Sequence, residues 1–326
     1  MGDHDMRTTL SLAATLAALS LGSAPAYALA QRTFVSGTGT DSGTCGRAAP
    51  CRSLQFAHDQ TTPNGEIAVL DTAGYGVLTI TKAISIVNAG GVEAGITVPA
   101  GGNAISIAAG ANDSISLRGL TLDGQDANSV SGIVISSAEQ VQILDCVLRN
   151  FRTAIDIRAS TALQYVIGNT VVQGGFRGII VSPLAASTGV TGVMNRLTVT
   201  GATYGVSISA TSLTGNAANY AAINDSVIAG NFSGLSVSTL ANGARATAVV
   251  QHSTIANNTN SGIYHFVNGV GQTIPTSIRI GDTTIANNLK GIRFEHTATV
   301  SSLGNNMFTD NGVDLDGGTL VALTPK

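Results

Sequence analysis

Residues 225–237 read Asp225-Ser-Val-Ile-Ala-Gly-Asn-Phe-Ser-Gly234-Leu-Ser-Val237, and this unit returns along the chain with changed letters and the same pattern. Its second half is a small residue followed by aliphatic, variable, aliphatic. That half recurs as Gly132-Ile-Val-Ile, Ala154-Ile-Asp-Ile, Gly178-Ile-Ile-Val and Gly205-Val-Ser-Ile, then as Gly262-Ile-Tyr-His, Gly291-Ile-Arg-Phe and Gly312-Val-Asp-Leu. With Gly234 included, successive starts lie 22, 24, 27, 29, 28, 29 and 21 residues apart. Weaker copies stand at Ala83-Ile-Ser-Ile and Ala104-Ile-Ser-Ile. The first half of the unit recurs as Asp145-Cys-Val-Leu-Arg-Asn, Asn169-Thr-Val-Val-Gln-Gly, Arg196-Leu-Thr-Val-Thr-Gly and Asp282-Thr-Thr-Ile-Ala-Asn. In these copies, as at Asp225, the first residue stands nine positions before the small residue; His252-Ser-Thr-Ile-Ala-Asn stands ten before.

This pattern predicts an all-β chain, a single right-handed parallel β-helix of about ten coils. Each short strand alternates inward and outward side chains, so the aliphatics of one coil stack on their equivalents in the next. Ile133, Ile155, Ile179, Val206, Leu235, Ile263 and Ile292 should form one interior column. Asn, Asp or Gly at the corners tolerates left-handed backbone and permits the sharp turns. Coils 4.7–4.9 Å apart would give a rod of roughly 45–50 Å. Leucine-rich repeats would need an Asn/Leu signature on a tighter period, which the copies lack, and propellers or sandwiches would show paired hairpin turns, which are scarce.

Composition agrees. Hydrophobic residues are 44% and charged residues only 11%, against roughly 25% charged in ordinary globular chains. Beyond the N-terminus no apolar run reaches the roughly 18 residues of a spanning helix, so the mature chain is read without a membrane span. Net charge is −3. Removing Arg7, Asp3 and Asp5 with a leader leaves 15 basic against 17 acidic residues, near −2. With no Lys/Arg run, nucleic acid is not an expected partner.

Residues 1–30 read as a signal peptide. Arg7 precedes an apolar stretch from Leu10 to Leu21, and Ala26-Tyr27-Ala28 or Ala28-Leu29-Ala30 supplies the cleavage signature. The start is Met1 or Met6. The expected location is secreted or periplasmic, a setting that favours a disulfide between Cys45 and Cys51. Cys146 reads as a small buried hydrophobe. Residues 31–82 are expected to hold an N-terminal cap and the first coils, 83–318 the β-helix repeats and 319–326 a tail. Within the cap, Pro50-Cys-Arg-Ser-Leu-Gln-Phe-Ala-His-Asp predicts a short helix that closes the end of the solenoid, and Gly65-Glu-Ile-Ala-Val-Leu a first strand.

Four stretches carry a resemblance: Pro50-Cys-Arg-Ser-Leu-Gln, Gly74-Tyr-Gly-Val-Leu-Thr-Ile, Ile84-Ser-Ile-Val-Asn and Ile115-Ser-Leu-Arg-Gly-Leu-Thr-Leu-Asp-Gly. Together with the later repeats, over about residues 33–318, the chain resembles the right-handed parallel β-helix proteins of the pectate-lyase-like superfamily. The resemblance implies the fold. It leaves activity unassigned, because this fold hosts lyases, hydrolases, esterases, epimerases and inert adhesins. The catalytic sets of the polyuronate-cutting members are missing. There is no Asp-Asp, Gly-His-Gly or Arg-Ile-Lys of the polygalacturonase-like hydrolases, and no tryptophan for the Trp-x-Asp-His of pectate-lyase-like enzymes. Pectin-esterase-like motifs are absent too.

The outward positions supply the candidates. Reading up the coils, the first outward position gives Val134, Asp156, Ile180, Ser207, Ser236, Tyr264, Arg293 and Asp314. The next gives Ser136, Arg158, Ser182, Ser209, Ser238, Phe266, Glu295 and Asp316. One face thus carries Asp156 and Arg158 towards one end and Tyr264, Phe266, Arg293, Glu295 and His296 towards the other. Tyr264 and Phe266 would offer a sugar ring a flat apolar surface. Arg293 would pair a uronate carboxylate, and Glu295 or His296 would act as acid or base in a lyase or glycoside hydrolase. Asp156 and Arg158 would add substrate contacts. The expected partner is a polysaccharide or cell-surface glycan. The alternative is a non-catalytic adhesin or cell-envelope structural protein, for which Arg293–Glu295 is only a surface ion pair.

Other polar groups read as structural. His252 stands at a corner, and His265 falls on an inward position with its hydrogen bonds expected to be satisfied at a strand end. Asp145, Asp225 and Asp282 share a corner in non-adjacent coils, too far apart for one calcium ion. Calcium at Asp123, Asp126, Asp310, Asp314 and Asp316 has no ligand pattern behind it, so no cofactor is assigned. Arg149, Arg152 and Arg177 lie in adjacent coils and would meet an acidic glycan or solvate a corner.

Overall fold

The computed structural model describes residues 29–125, 130–184, 189–215, 217–240, 244–268, 277–296 and 298–324. The leader through residue 28 and Asp126 lie outside them. Three parallel sheets run along a rod. The first has twelve strands, from Ala30–Val35 to Leu320–Ala322. The second has ten, from Ala73–Gly74 to Met307–Thr309, and the third ten, from Leu78–Ile80 to Val313–Asp316. From Thr61–Val69 onward the chain visits the sheets in rotation, one strand in each per coil, with parallel neighbours. This is a parallel β-helix of about ten coils, right-handed as parallel crossovers are.

The interior column forms as expected. Ile133 pairs with Ile155, Ile155 with Ile179, Ile179 with Val206, Val206 with Leu235, Leu235 with Ile263 and Ile263 with Ile292. All seven are fully buried. The small residue that opens each third-sheet strand has a steric cause. A Cβ on Gly205 would lie 2.7 Å from the Gly234 carbonyl oxygen, one on Gly234 2.6 Å from that of Gly262, and one on Gly262 2.7 Å from that of Gly291.

The corners between the first and second sheets hold Asp145, Asn169, Arg196, Asp225, His252 and Asp282, with φ between 48° and 56°. His252 is thus a turn residue. Between the second and third sheets runs a buried ladder of asparagines. The Asn231 amide nitrogen donates to Asn258 Oδ1 (3.1 Å), that of Asn258 to Asn288 Oδ1 (3.0 Å), and that of Asn288 to Asn311 Oδ1 (3.0 Å). Each amide replaces a strand bond at a corner where backbone groups would otherwise be buried unpaired, and it fixes where the third sheet starts.

The N-terminal end is closed by a helix at Leu54–Gln60, capped by Ser53, whose Oγ accepts from the Phe56 amide (3.2 Å). Leu54 and Ala57 are buried. The Thr79 amide donates to Gln55 Oε1 (2.8 Å), and Arg52 Nη1 donates to the Gly74 carbonyl (2.7 Å). These contacts satisfy strand edges that would otherwise be open. Cys45 and Cys51 form a disulfide, and Cys146 is buried.

Three readings of register are corrected. Ile84–Val87 lies in the first sheet; the third-sheet rung of that coil is Leu78–Ile80. An alternating tetrapeptide without its Asp/Asn corner does not say which side it lines. A strand at Ala30–Val35 precedes the one read as first, which lies within Thr61–Val69. In the last coil Ile292 pairs with Leu315 and Arg293 with Asp316, so Asp316, not Asp314, follows Arg293. The interior takes the leucine, and the shorter loop shifts the strand by two residues. Leu320–Ala322 adds a further rung to the first sheet.

Candidate functional site

The outward face of the third sheet is built by register. Asp156, Ile180, Ser207, Ser236, Tyr264 and Arg293 follow one another in a column. From Asp156 to Arg293 is five coil steps, about 24 Å. Asp156 pairs with Arg158 and Arg293 with Glu295, each within its own coil, the second residue lying just past the end of the strand. The face therefore brings Tyr264, Phe266, Arg293, Glu295 and His296 together and leaves Asp156 and Arg158 apart from them, out of reach of the same sugar.

At the cluster, the Tyr264 and Phe266 rings stack with centroids 6.1 Å apart at 30°, and His296 lies 6.1 Å from Phe266. The Arg293 guanidinium sits 5.1 Å from the Tyr264 ring centre, and its Nη2 donates to Glu295 Oε1 at 2.5 Å. Burial, then the hydrogen bond to Glu295, pushes the Tyr264 hydroxyl up to about 12. Tyr264 is thus a neutral donor at ordinary pH and no base. Glu295 is engaged from both sides, by a cation and by a hydroxyl.

Beside this cluster the face is hollowed into a shallow groove of about 340 Å³. Its floor is Ile180 and the serines Ser207, Ser209, Ser236 and Ser238; Tyr264 and Phe266 stand at one end. The other end is made by Phe176, Arg177 and Tyr204. Phe176 and Tyr204 meet edge to face with centroids 5.6 Å apart at 89°, and the Arg177 guanidinium lies 4.7 Å from the Phe176 ring centre. The sequence reading missed Phe176 and Tyr204. Their signal was available: both stand just before the small residue, in Gly175-Phe-Arg-Gly178 and Ala202-Thr-Tyr-Gly205, whereas the outward reading began after it.

His265 is corrected. It is interior, in one column with Val237 and Phe294, fully buried, and neither ring nitrogen has a well-formed hydrogen bond. Burial pushes its pKa down to about 4, offset in small part by the nearby Thr299 backbone. The acidic residues considered for calcium are spent singly: Asp123 on Arg149 and Asn150, Asp314 on Asn311, Asp316 on Lys290. Among the described residues no three His, Cys, Asp or Glu side chains converge as a metal site. No described helix is long and apolar enough to cross a membrane.

No family model matches the chain, and no curated protein does. Solved structures do. The pectate lyase Pel9A superimposes with a TM-score of 0.63 at 12% identity, covering 90% of this chain and 80% of that one. An alginate lyase from Paenibacillus sp. str. FPU-7 gives 0.53 at 15% identity, covering 90% and 100%. A rhamnogalacturonan lyase gives 0.51 at 11% identity, covering 83% and 72%. At such identities the likeness is one of fold: the chain is a right-handed parallel β-helix of pectate-lyase-like architecture.

Proposed function

We propose that this is an exported, secreted or periplasmic, β-helix protein that binds an extracellular polysaccharide across the outward face of its third sheet. The observation that carries the reading is the stacked, solvent-facing pair Tyr264 and Phe266, with Arg293 against one ring and His296 beside the other. Stacked aromatics flanked by a guanidinium suit the apolar face of a sugar and its polar substituents. Three superimposable structures bear the names of polysaccharide lyases, which supports a glycan as the ligand class. The disulfide supports an oxidising location. In a cleaving version of this reading Arg293 holds a substituent and Glu295 or His296 moves the proton.

One observation favours a non-catalytic adhesin or envelope protein instead. Glu295 is already bonded to Arg293 and Tyr264, so its proton-accepting oxygens are partly occupied before a ligand arrives. A single assay addresses both. Purified protein is screened against acidic and neutral polysaccharides, reading binding together with new reducing or unsaturated ends. Binding with cleavage supports the enzyme, binding alone the adhesin, and neither signal on any glycan ends the glycan reading. The double variant Arg293→Ala, Glu295→Ala should lose whatever signal is found; a surviving signal moves the site elsewhere.

A further inference from the structure

We infer that Phe176, Arg177 and Tyr204 form a second half-site, and that Arg177, not Arg293, reads the negative charge of an acidic glycan chain lying along the groove. The inference rests on the glycan reading above and specifies how that groove chooses its ligand. Arg293 is poorly placed for the task, because its charge is already met by Glu295. A carboxylate or sulfate arriving there would have to displace an existing partner.

Arg177 is in the opposite condition. Its guanidinium lies against the Phe176 ring, and no described residue gives its side chain a hydrogen bond or an ion pair. Its forked donors are therefore unspent, and a guanidinium held against an aromatic face has lost part of the rotamer freedom that binding would otherwise cost. No carboxylate lines the groove, so Arg177 sets its sign. Tyr204 faces the same space with a polar tip and an apolar body.

Phe176 and Arg177 lie three coil steps from Tyr264, Ile180 to Ser207 to Ser236 to Tyr264, about 14 Å along the rod, and Tyr204, on the Ser207 coil, lies two steps away, about 10 Å. A single sugar ring cannot touch both ends. The ligand must be a chain of several sugars, with one ring on Tyr264 and Phe266, an anionic substituent at Arg177, and hydroxyls over the serine floor. Affinity should therefore grow with chain length until both ends are engaged and then level off.

The test is calorimetric titration of the whole protein with oligogalacturonates from disaccharide to octasaccharide, with polygalacturonate, alginate, hyaluronate and heparin, and with a neutral galactan. Wild type is compared with Arg177→Gln and with Tyr264→Ala, Phe266→Ala, each checked for an unchanged melting temperature. Arg177→Gln should weaken the preferred acidic oligosaccharide about tenfold, the usual weight of a hydrogen-bonded ion pair. It should also flatten the salt dependence and leave neutral galactan unaffected. Octasaccharide bound equally by wild type and Arg177→Gln, but lost in Tyr264→Ala, Phe266→Ala, overturns this inference while the glycan reading stands. No binding of any polymer by wild type overturns both.

Discussion

His265 and Phe294 are register partners in one interior column, the imidazole one coil step from the phenyl ring and both shut off from water. A position that is valine one coil earlier therefore carries a titratable group. Its pKa is pushed down to about 4 from an ordinary value of 6.5. The unfolded chain takes up the proton first, so this residue's penalty is absent above about pH 6.5. The penalty grows as pH falls through that value, and it levels off near 4, where the folded protein protonates too. The span corresponds to about 3 kcal/mol. His265→Leu should raise the melting temperature at pH 5 more than at pH 8. A variant whose melting temperature tracks wild type across that range would show that the buried imidazole is harmless.

Gly234 and Gly262 approach so closely that a methyl on either would strike the next coil. Gly234→Ala places a Cβ 2.6 Å from a carbonyl oxygen and 2.8 Å from Ile255 Cγ2, neither of them a freely moving group. The cost should be about 1–3 kcal/mol, as for overpacked cores. Gly46→Ala is the control: nothing lies within 4 Å of its added carbon. Urea titrations of both variants should separate them clearly, and equal midpoints would mean that the coils can slide apart at no cost.

The column from Ile133 to Ile292 was legible because a two-residue alternation recurs at a fixed distance from an Asp or Asn corner. Where the corner is missing the sheet was misassigned, as with Ile84–Val87. Where the loop shortens, as before Leu315, the register slipped by two. His265 is legible as inward but not as lacking a well-formed hydrogen bond, since satisfaction depends on neighbours that distant loops supply. Half of the groove was legible too. Tyr264 and Phe266 alternate with an interior residue within a strand, whereas Phe176 stands at a bend just ahead of its strand and Tyr204 is the first residue of its own, where alternation gives no direction. Arg293 and Glu295 are legible as charged outward residues, with their ion pair as one of two readings of them, and the pair is what forms.

The Cys45–Cys51 bridge closes a short loop beside the capping helix, with a sequence separation of 6. A loop this small removes modest entropy from the unfolded chain, about 2 kcal/mol. Reduction should lower the melting temperature by a few degrees without dissolving the rod, because the coils beyond the cap hold one another. Scanning calorimetry with and without a phosphine reductant measures the difference. Collapse of the whole transition on reduction would instead make the cap the cornerstone of the fold.

Glu295→Gln separates the enzyme from the adhesin more sharply than removing either partner. Glutamine keeps the volume and the acceptor oxygen for the Tyr264 hydroxyl but gives up the charge that neutralises Arg293. The Arg293–Glu295 pair is about one-third and one-quarter exposed, so its own contribution to stability is small and the fold should tolerate the change. If Glu295 moves a proton, Glu295→Gln should lose product formation by about a hundredfold or more while retaining binding. If the face only binds, the freed guanidinium becomes available to an acidic glycan, and affinity should rise several-fold, with a steeper salt dependence than wild type. Read together, the product assay and the binding titration separate the two: product is lost with binding kept in the first case, and affinity rises in the second. A variant with unchanged affinity and unchanged product would place the working surface away from Arg293 and Glu295 altogether.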